Sequence, residues 1–136
     1  MKNGLIESII VFFMLIILMF SSFSTHAFSF FDDTTPPVTT ITFDPPVPNG
    51  LNGWYVTDVN VTLNATDDLS GVKTIYYQIN GGPLESHDGD YFNFTLDHDC
   101  LDGYIEYYSV DNEGNVEQVK SVRISIDQLP RGGSAI

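Results

Sequence analysis

Two short runs, Asp67-Asp68-Leu69-Ser70-Gly71 and Asp111-Asn112-Glu113-Gly114-Asn115, gather side chains that hard cations take as ligands. Calcium is held by about six to eight oxygens from carboxylates, amide carbonyls, backbone and water. A site shared between the runs would use Asp67 and Asp68 from one and Asp111, Glu113 and Asn115 from the other. The spacing is not that of an EF-hand, because Gly114 comes too early after Asp111. Affinity would be of extracellular grade, with a dissociation constant on the order of 10⁻⁴–10⁻³ M. The same residues have a plain architectural use. Asp and Asn side chains accept hydrogen bonds from nearby amides in tight turns, and Gly71 and Gly114 tolerate positive φ there.

Other groups carry weaker signals. His87-Asp88-Gly89-Asp90 and Asp97-His98-Asp99 hold imidazoles and carboxylates suited to a transition metal. They flank a six-residue strand pattern, which would hold them about 20 Å apart, so a single mononuclear site is not expected. Asn60-Val61-Thr62, Asn64-Ala65-Thr66 and Asn93-Phe94-Thr95 are glycosylation sequons. In an extended strand each Asn and its Thr share the polar face, so Asn60, Asn64 and Asn93 should point to solvent. Trp54 and Tyr55 follow the Asn52-Gly53 turn and form an aromatic pair able to stack on a sugar ring. No Gly-x-Ser-x-Gly, His-paired cysteine or phosphate-cradling glycine loop is present, which argues against an enzyme.

Eighteen acidic residues against five basic ones give a net charge of -13. Clustered Lys and Arg, which nucleic-acid binding requires, are therefore lacking. At 43 % apolar and 13 % aromatic residues the chain can build a core. Its 136 residues suit one domain plus an export segment. With Cys100 as the one cysteine there is neither an intrachain disulfide nor a zinc spacing, and it reads as an apolar filler.

Residues 9–20 form an unbroken apolar stretch of twelve, preceded by Lys2 and followed by Thr25-His26-Ala27. That order matches a secretory signal cut after Ala27. The stretch is short for a membrane span of about 20 residues, although an uncleaved anchor is the rival reading, since residues 9–31 contain no Asp, Glu, Lys or Arg. Either way the remainder is expected outside the cytoplasmic membrane, secreted or at the cell surface. Contact with the membrane would come only through this segment.

Residues 28–50 contain five prolines and read as a linker with a first edge strand between them. Beyond it the period is two. Val59, Val61, Leu63 and Ala65 alternate with polar residues, as do Phe92, Phe94 and Leu96, and Val122, Ile124 and Ile126. Residues 72–79 are a strand ended by the Asn80-Gly81-Gly82 hairpin signal. A short strand is expected at 84–86, another at 104–110 and a last one over 116–126. About seven short strands with regular turn signals, and no crossover helices, predict an all-β sandwich of the immunoglobulin-like or fibronectin-III-like kind. Its body would span 51–127, with a flexible tail at 128–136.

Pro36-Pro37-Val38-Thr39, the turn from Asp67 to Val72, and the run from Tyr107 to Glu117 (YYSVDNEGNVE) occur in this order. Together they resemble the Ig-like repeats of large bacterial and archaeal cell-surface proteins. The resemblance covers about residues 35–127 and implies a β-sandwich serving as spacer, stalk or adhesion module. The expectation is therefore an exported, non-enzymatic structural or adhesion module whose partners are surface proteins or glycans. The alternative is a calcium-dependent or carbohydrate-binding module, with calcium as the one candidate cofactor.

Overall fold

Alternation becomes burial most clearly in the strand Val59–Thr66. Val59, Val61 and Leu63 are fully buried and Ala65 nearly so, while Asn64 and Thr66 are exposed. The computed structural model describes residues 32–129 and Gly4. The expected signal or anchor at 1–27 and the tail beyond residue 129 lie outside the described residues, Gly4 apart.

The strands are β1 (Val38–Asp44), β2 (Val59–Thr66), β3 (Val72–Ile79), β4 (Glu85–Asp88), β5 (Tyr91–Leu96), β6 (Cys100–Asp111) and β7 (Lys120–Ile126). A short 3-10 turn at Leu51–Gly53 is the one other regular element among the described residues from 32 onward. One sheet has the order β1-β2-β5 and the other β4-β3-β6-β7, and every pairing is antiparallel. This is an immunoglobulin-like sandwich. The fourth strand joins β3, where a constant-type immunoglobulin domain would add it to the sheet of the first strand.

The inner faces meet through Val59, Val61 and Leu63 on one side and Ile75, Ile105, Ile124 and Ile126 on the other. Full burial of each such side chain contributes roughly 1.5–3 kcal/mol. An aromatic run closes one flank. Tyr77 lies 4.9 Å from Phe94 and 5.1 Å from Phe92, ring centre to ring centre, and His87 stacks on Phe92 at 4.6 Å.

A buried carboxylate also ties the sheets. Glu117, between β6 and β7, accepts hydrogen bonds from Thr39 N–H (2.9 Å) and Thr39 Oγ1 (2.6 Å) of β1. It also accepts one from Ser109 N–H (3.1 Å) of β6. Lys120 pairs with Glu117 and donates to the Thr39 carbonyl at 2.7 Å. Thr39, Ser109 and Glu117 are all buried. Unpaired, that carboxylate would cost several kcal/mol, so the donors of Thr39, Ser109 and Lys120 are required.

Three expectations on strand limits are corrected. The strand expected at 104–110 runs over Cys100–Asp111, its first part paired with the end of β7 through Cys100↔Ile126. The short strand falls at Glu85–Asp88, after Leu84, because pairing with β3 runs from Tyr77↔Glu85 to Thr74↔Asp88. Asn80 and Gly81, with φ of 52° and 67°, set that register through the hairpin turn. The last strand starts at Lys120 and not at 116. Val116 makes one isolated bridge to Val110, and the next residue turns its carboxylate inward.

Leu63→Ala should lower stability by about 2–5 kcal/mol in urea unfolding. Leu51→Ala, at a side chain 86 % exposed, should shift it by less than about 0.5 kcal/mol. Acid should weaken the Glu117 tie. Burial pushes its pKa up, but hydrogen bonds from Lys120 and Thr39 outweigh that and hold it below the ordinary glutamate value. A carboxyl lowered in the folded state stabilises above its unfolded pKa and loses that contribution as pH falls through the folded one. Urea midpoints followed into acid should therefore fall in this window for the natural chain and less steeply for Glu117→Gln.

Candidate functional site

Antiparallel pairing decides what meets at the first pole of the sandwich. Val38 pairs with Thr66, so the residues before β1 run beside those after β2. Asp33 thereby reaches the turn at 67–71. Its Oδ2 accepts from Ser70 N–H at 2.9 Å and its Oδ1 from Thr35 N–H at 2.9 Å. The turn at 111–115 joins them: Asn112 Nδ2 donates to the carbonyls of Ser70 (2.8 Å) and Gly71 (2.9 Å), and Asn115 Nδ2 to the Asp33 carbonyl (2.9 Å).

Three carboxylates converge there. Asp33, Asp67 and Asp68 each offer an oxygen within 4.8 Å of the others. Asp33 is 5 % exposed, Asp67 half-buried and Asp68 exposed. Asp67 Oδ2 accepts from Gly71 N–H at 2.7 Å and Leu69 N–H at 3.2 Å. Asp67 Oδ1 is buried and has no hydrogen-bond partner among the described residues. None of the three makes an ion pair with Lys or Arg among the described residues. Hydrogen bonds from Ser70 and Thr35 hold the Asp33 carboxyl below the usual aspartate value, so it stays charged near neutrality.

Of the five sequence-expected cation ligands, Asp67 and Asp68 belong to this cluster. Asp111 and Asn115 sit in the adjoining turn and are engaged with each other. Asp111 Oδ1 accepts from Asn115 N–H and its Oδ2 from Asn115 Nδ2, both at 2.7 Å. Asp111 is fully buried, which pushes its carboxyl up, yet the Asn115 hydrogen bonds outweigh burial and leave it lowered. Glu113 is exposed at the tip of the turn. Asp33 was missed because, before folding, it reads only as the acidic flank of the export segment. The signal was its place five residues before the strand that pairs with the end of β2.

The carbohydrate expectation is corrected at Tyr55. Its ring is 5 % exposed in the core and lies against Phe43 at 6.4 Å, leaving no face for a sugar. Backbone bonds to Ser125 (2.9 Å) and Asp127 (2.8 Å) hold it there, and burial raises its phenol pKa. Trp54 is half-buried and lines a cleft of about 710 Å³ with Leu51, Val56 and Leu129 at the opposite pole. The histidine-bearing runs stay at the two ends of β5. His98 contacts Asp97 at 2.8 Å, while Asp88 accepts from Thr74 at 3.0 Å. The sequon asparagines all lie on the solvent side of the β1-β2-β5 sheet, Asn64 and Asn93 exposed and Asn60 half-buried.

A family model described as Bacterial Ig domain matches residues 37–110, over half of the chain, and agrees with the resemblance drawn from the turn motifs. The match takes in β1 through most of β6 and stops before the turn at 111–115. No curated protein and no solved structure matches the chain.

Asp111→Ala should lower the melting temperature clearly, since it leaves the half-buried Asn115 N–H without its acceptor and takes one of two acceptors from Asn115 Nδ2. Glu113→Ala, one turn position away and exposed, should leave it unchanged within error in the same thermal scan.

Proposed function

The chain belongs to the Bacterial Ig domain family, and from that premise we propose that it is an exported, non-enzymatic structural or adhesion module of the cell surface. Domains of this family typically occur in extracellular or surface proteins and are generally not enzymes. One geometric observation supports the reading: the sandwich is entered and left at opposite poles, and both ends are fastened. At the first pole Asp33 is bonded to Ser70 and Asn115. At the other, Gln128 N–H donates to Asp99 at 2.7 Å and Gln128 Nε2 to Asp58 at 2.8 Å. A module tied at both ends can stand in series and transmit tension through its sheets. The acidic surface keeps it soluble and repels nucleic acid.

Calcium-dependent stiffening of the first pole is a second reading, favoured by the buried, unpartnered Asp67 Oδ1 beside Asp33 and Asp68. A divalent cation would satisfy that oxygen and relieve repulsion among three carboxylates. Bound there, it would fasten the segment before β1 to the body of the sandwich.

Protease added to intact cells should digest the protein without lysis. Protection together with recovery in the cytoplasmic fraction would contradict the surface reading. Calcium at ten times its dissociation constant would add about 1.4 kcal/mol, a rise in melting temperature of roughly 5–10 °C. Asp33→Asn should remove that rise. A melting temperature indifferent to calcium and chelator would sink the second reading and leave the first intact.

A further inference from the structure

The solvent face of the β1-β2-β5 sheet has an unusual composition for so acidic a chain. Register places Thr40, Asn64 and Tyr91 in one row across it, Thr42, Thr62 and Asn93 in the next, and Asp44, Asn60 and Thr95 in the third. The nine positions carry one carboxylate, no Lys and no Arg. All three sequons of the described residues converge on this face, although they come from two strands separated by two others in sequence. The strand period explains how: each Asn and the Thr two residues on must share a face, and β2 and β5 are neighbours in the same sheet.

We propose that this face is N-glycosylated, with Asn64 and Asn93 as the attachment sites, a proposal that rests on the chain being exported. In the reaction the Asn amide nitrogen bonds to the anomeric carbon of a sugar carried on a polyprenyl phosphate. The bond from that carbon to the phosphate oxygen breaks, and the polyprenyl phosphate leaves with the electron pair. The amide gives up one proton to a base of the transferase. Both the acceptor Asn and its Thr must be reachable. Asn64 with Thr66, and Asn93 with Thr95, are exposed, whereas Asn60 and Thr62 are both half-buried on the central strand. The Asn64 side-chain amide makes no hydrogen bond to the described residues, and that of Asn93 donates one, to the exposed Tyr91 hydroxyl at 3.1 Å. Asn93 also lies on an edge strand, which opens more readily than a central one.

Sugars here would cover the unpaired edges of the sheet, which otherwise invite strand addition by other chains. The other sheet's solvent face, where Tyr76 and Tyr108 stack at 4.9 Å, would stay bare.

The test is peptide mass mapping of the protein purified from its own cells after fractionation, with the Asn64→Gln/Asn93→Gln double variant in parallel. The expected result is a protein outside the cytoplasm with hexose-bearing mass additions on the peptides containing Asn64, Asn93 or both, absent from the double variant, with Asn60 bare. Protein outside the cytoplasm with all three asparagines bare would overturn the glycosylation and leave the export reading standing. Sugar on Asn60 with Asn64 and Asn93 bare would overturn the assignment of sites. Bare protein confined to the cytoplasm would overturn the export reading and this inference with it.

Discussion

The two-residue period of the central strand β2 governs most of what this molecule presents. One face of that strand supplies Val59, Val61, Leu63 and Ala65 to the core. A slip of one residue would bury Asn60, Thr62, Asn64 and Thr66 in their place, each with polar groups that the core cannot satisfy. Register is therefore strongly fixed, and two consequences follow. The sequon asparagines are held outward, and the pairing Val38↔Thr66 brings Asp33 alongside the Asp67–Gly71 turn.

Alternation alone does not hold two sheets in a set relation, and the Glu117 tie supplies what it lacks. Apolar contacts are non-directional, whereas a buried carboxylate bonded to Thr39 and Ser109 fixes β1 against β6 in one alignment. The adjoining Asp111–Asn115 lock works the same way within one turn. The polar residues of the YYSVDNEGNVE run thus act chiefly on architecture. Three carboxylates not consumed in this way, Asp33, Asp67 and Asp68, meet beside that turn.

Strands whose inner residues are uniformly apolar were legible in the sequence. β2, β5 and the second half of β7 have their expected faces, with Phe92 and Phe94 half-buried against the core. Elements held by long-range or polar contacts were not. β4 is wholly exposed and exists through its pairing with β3, so it leaves no periodic trace. Glu117 looks like a surface residue until Thr39, seventy-eight residues away, is placed against it. Tyr55 has no alternating neighbours to reveal that its ring points inward. At the candidate site the two turns were legible from their Asp, Asn and Gly residues. Asp33 was not, because its partners become its neighbours only through the register of β1 on β2.

The sandwich is self-supporting and fastened at both poles by specific side-chain acceptors. Native-state hydrogen exchange reads this directly through the amides of Ser70, bonded to Asp33, and Gln128, bonded to Asp99. Both amides should be protected well beyond the free-peptide rate, with the β2 amides the slowest of all. Exchange of Ser70 and Gln128 at the free-peptide rate, with β2 still protected, would show loose ends on a sound core and rule out fastening at the poles.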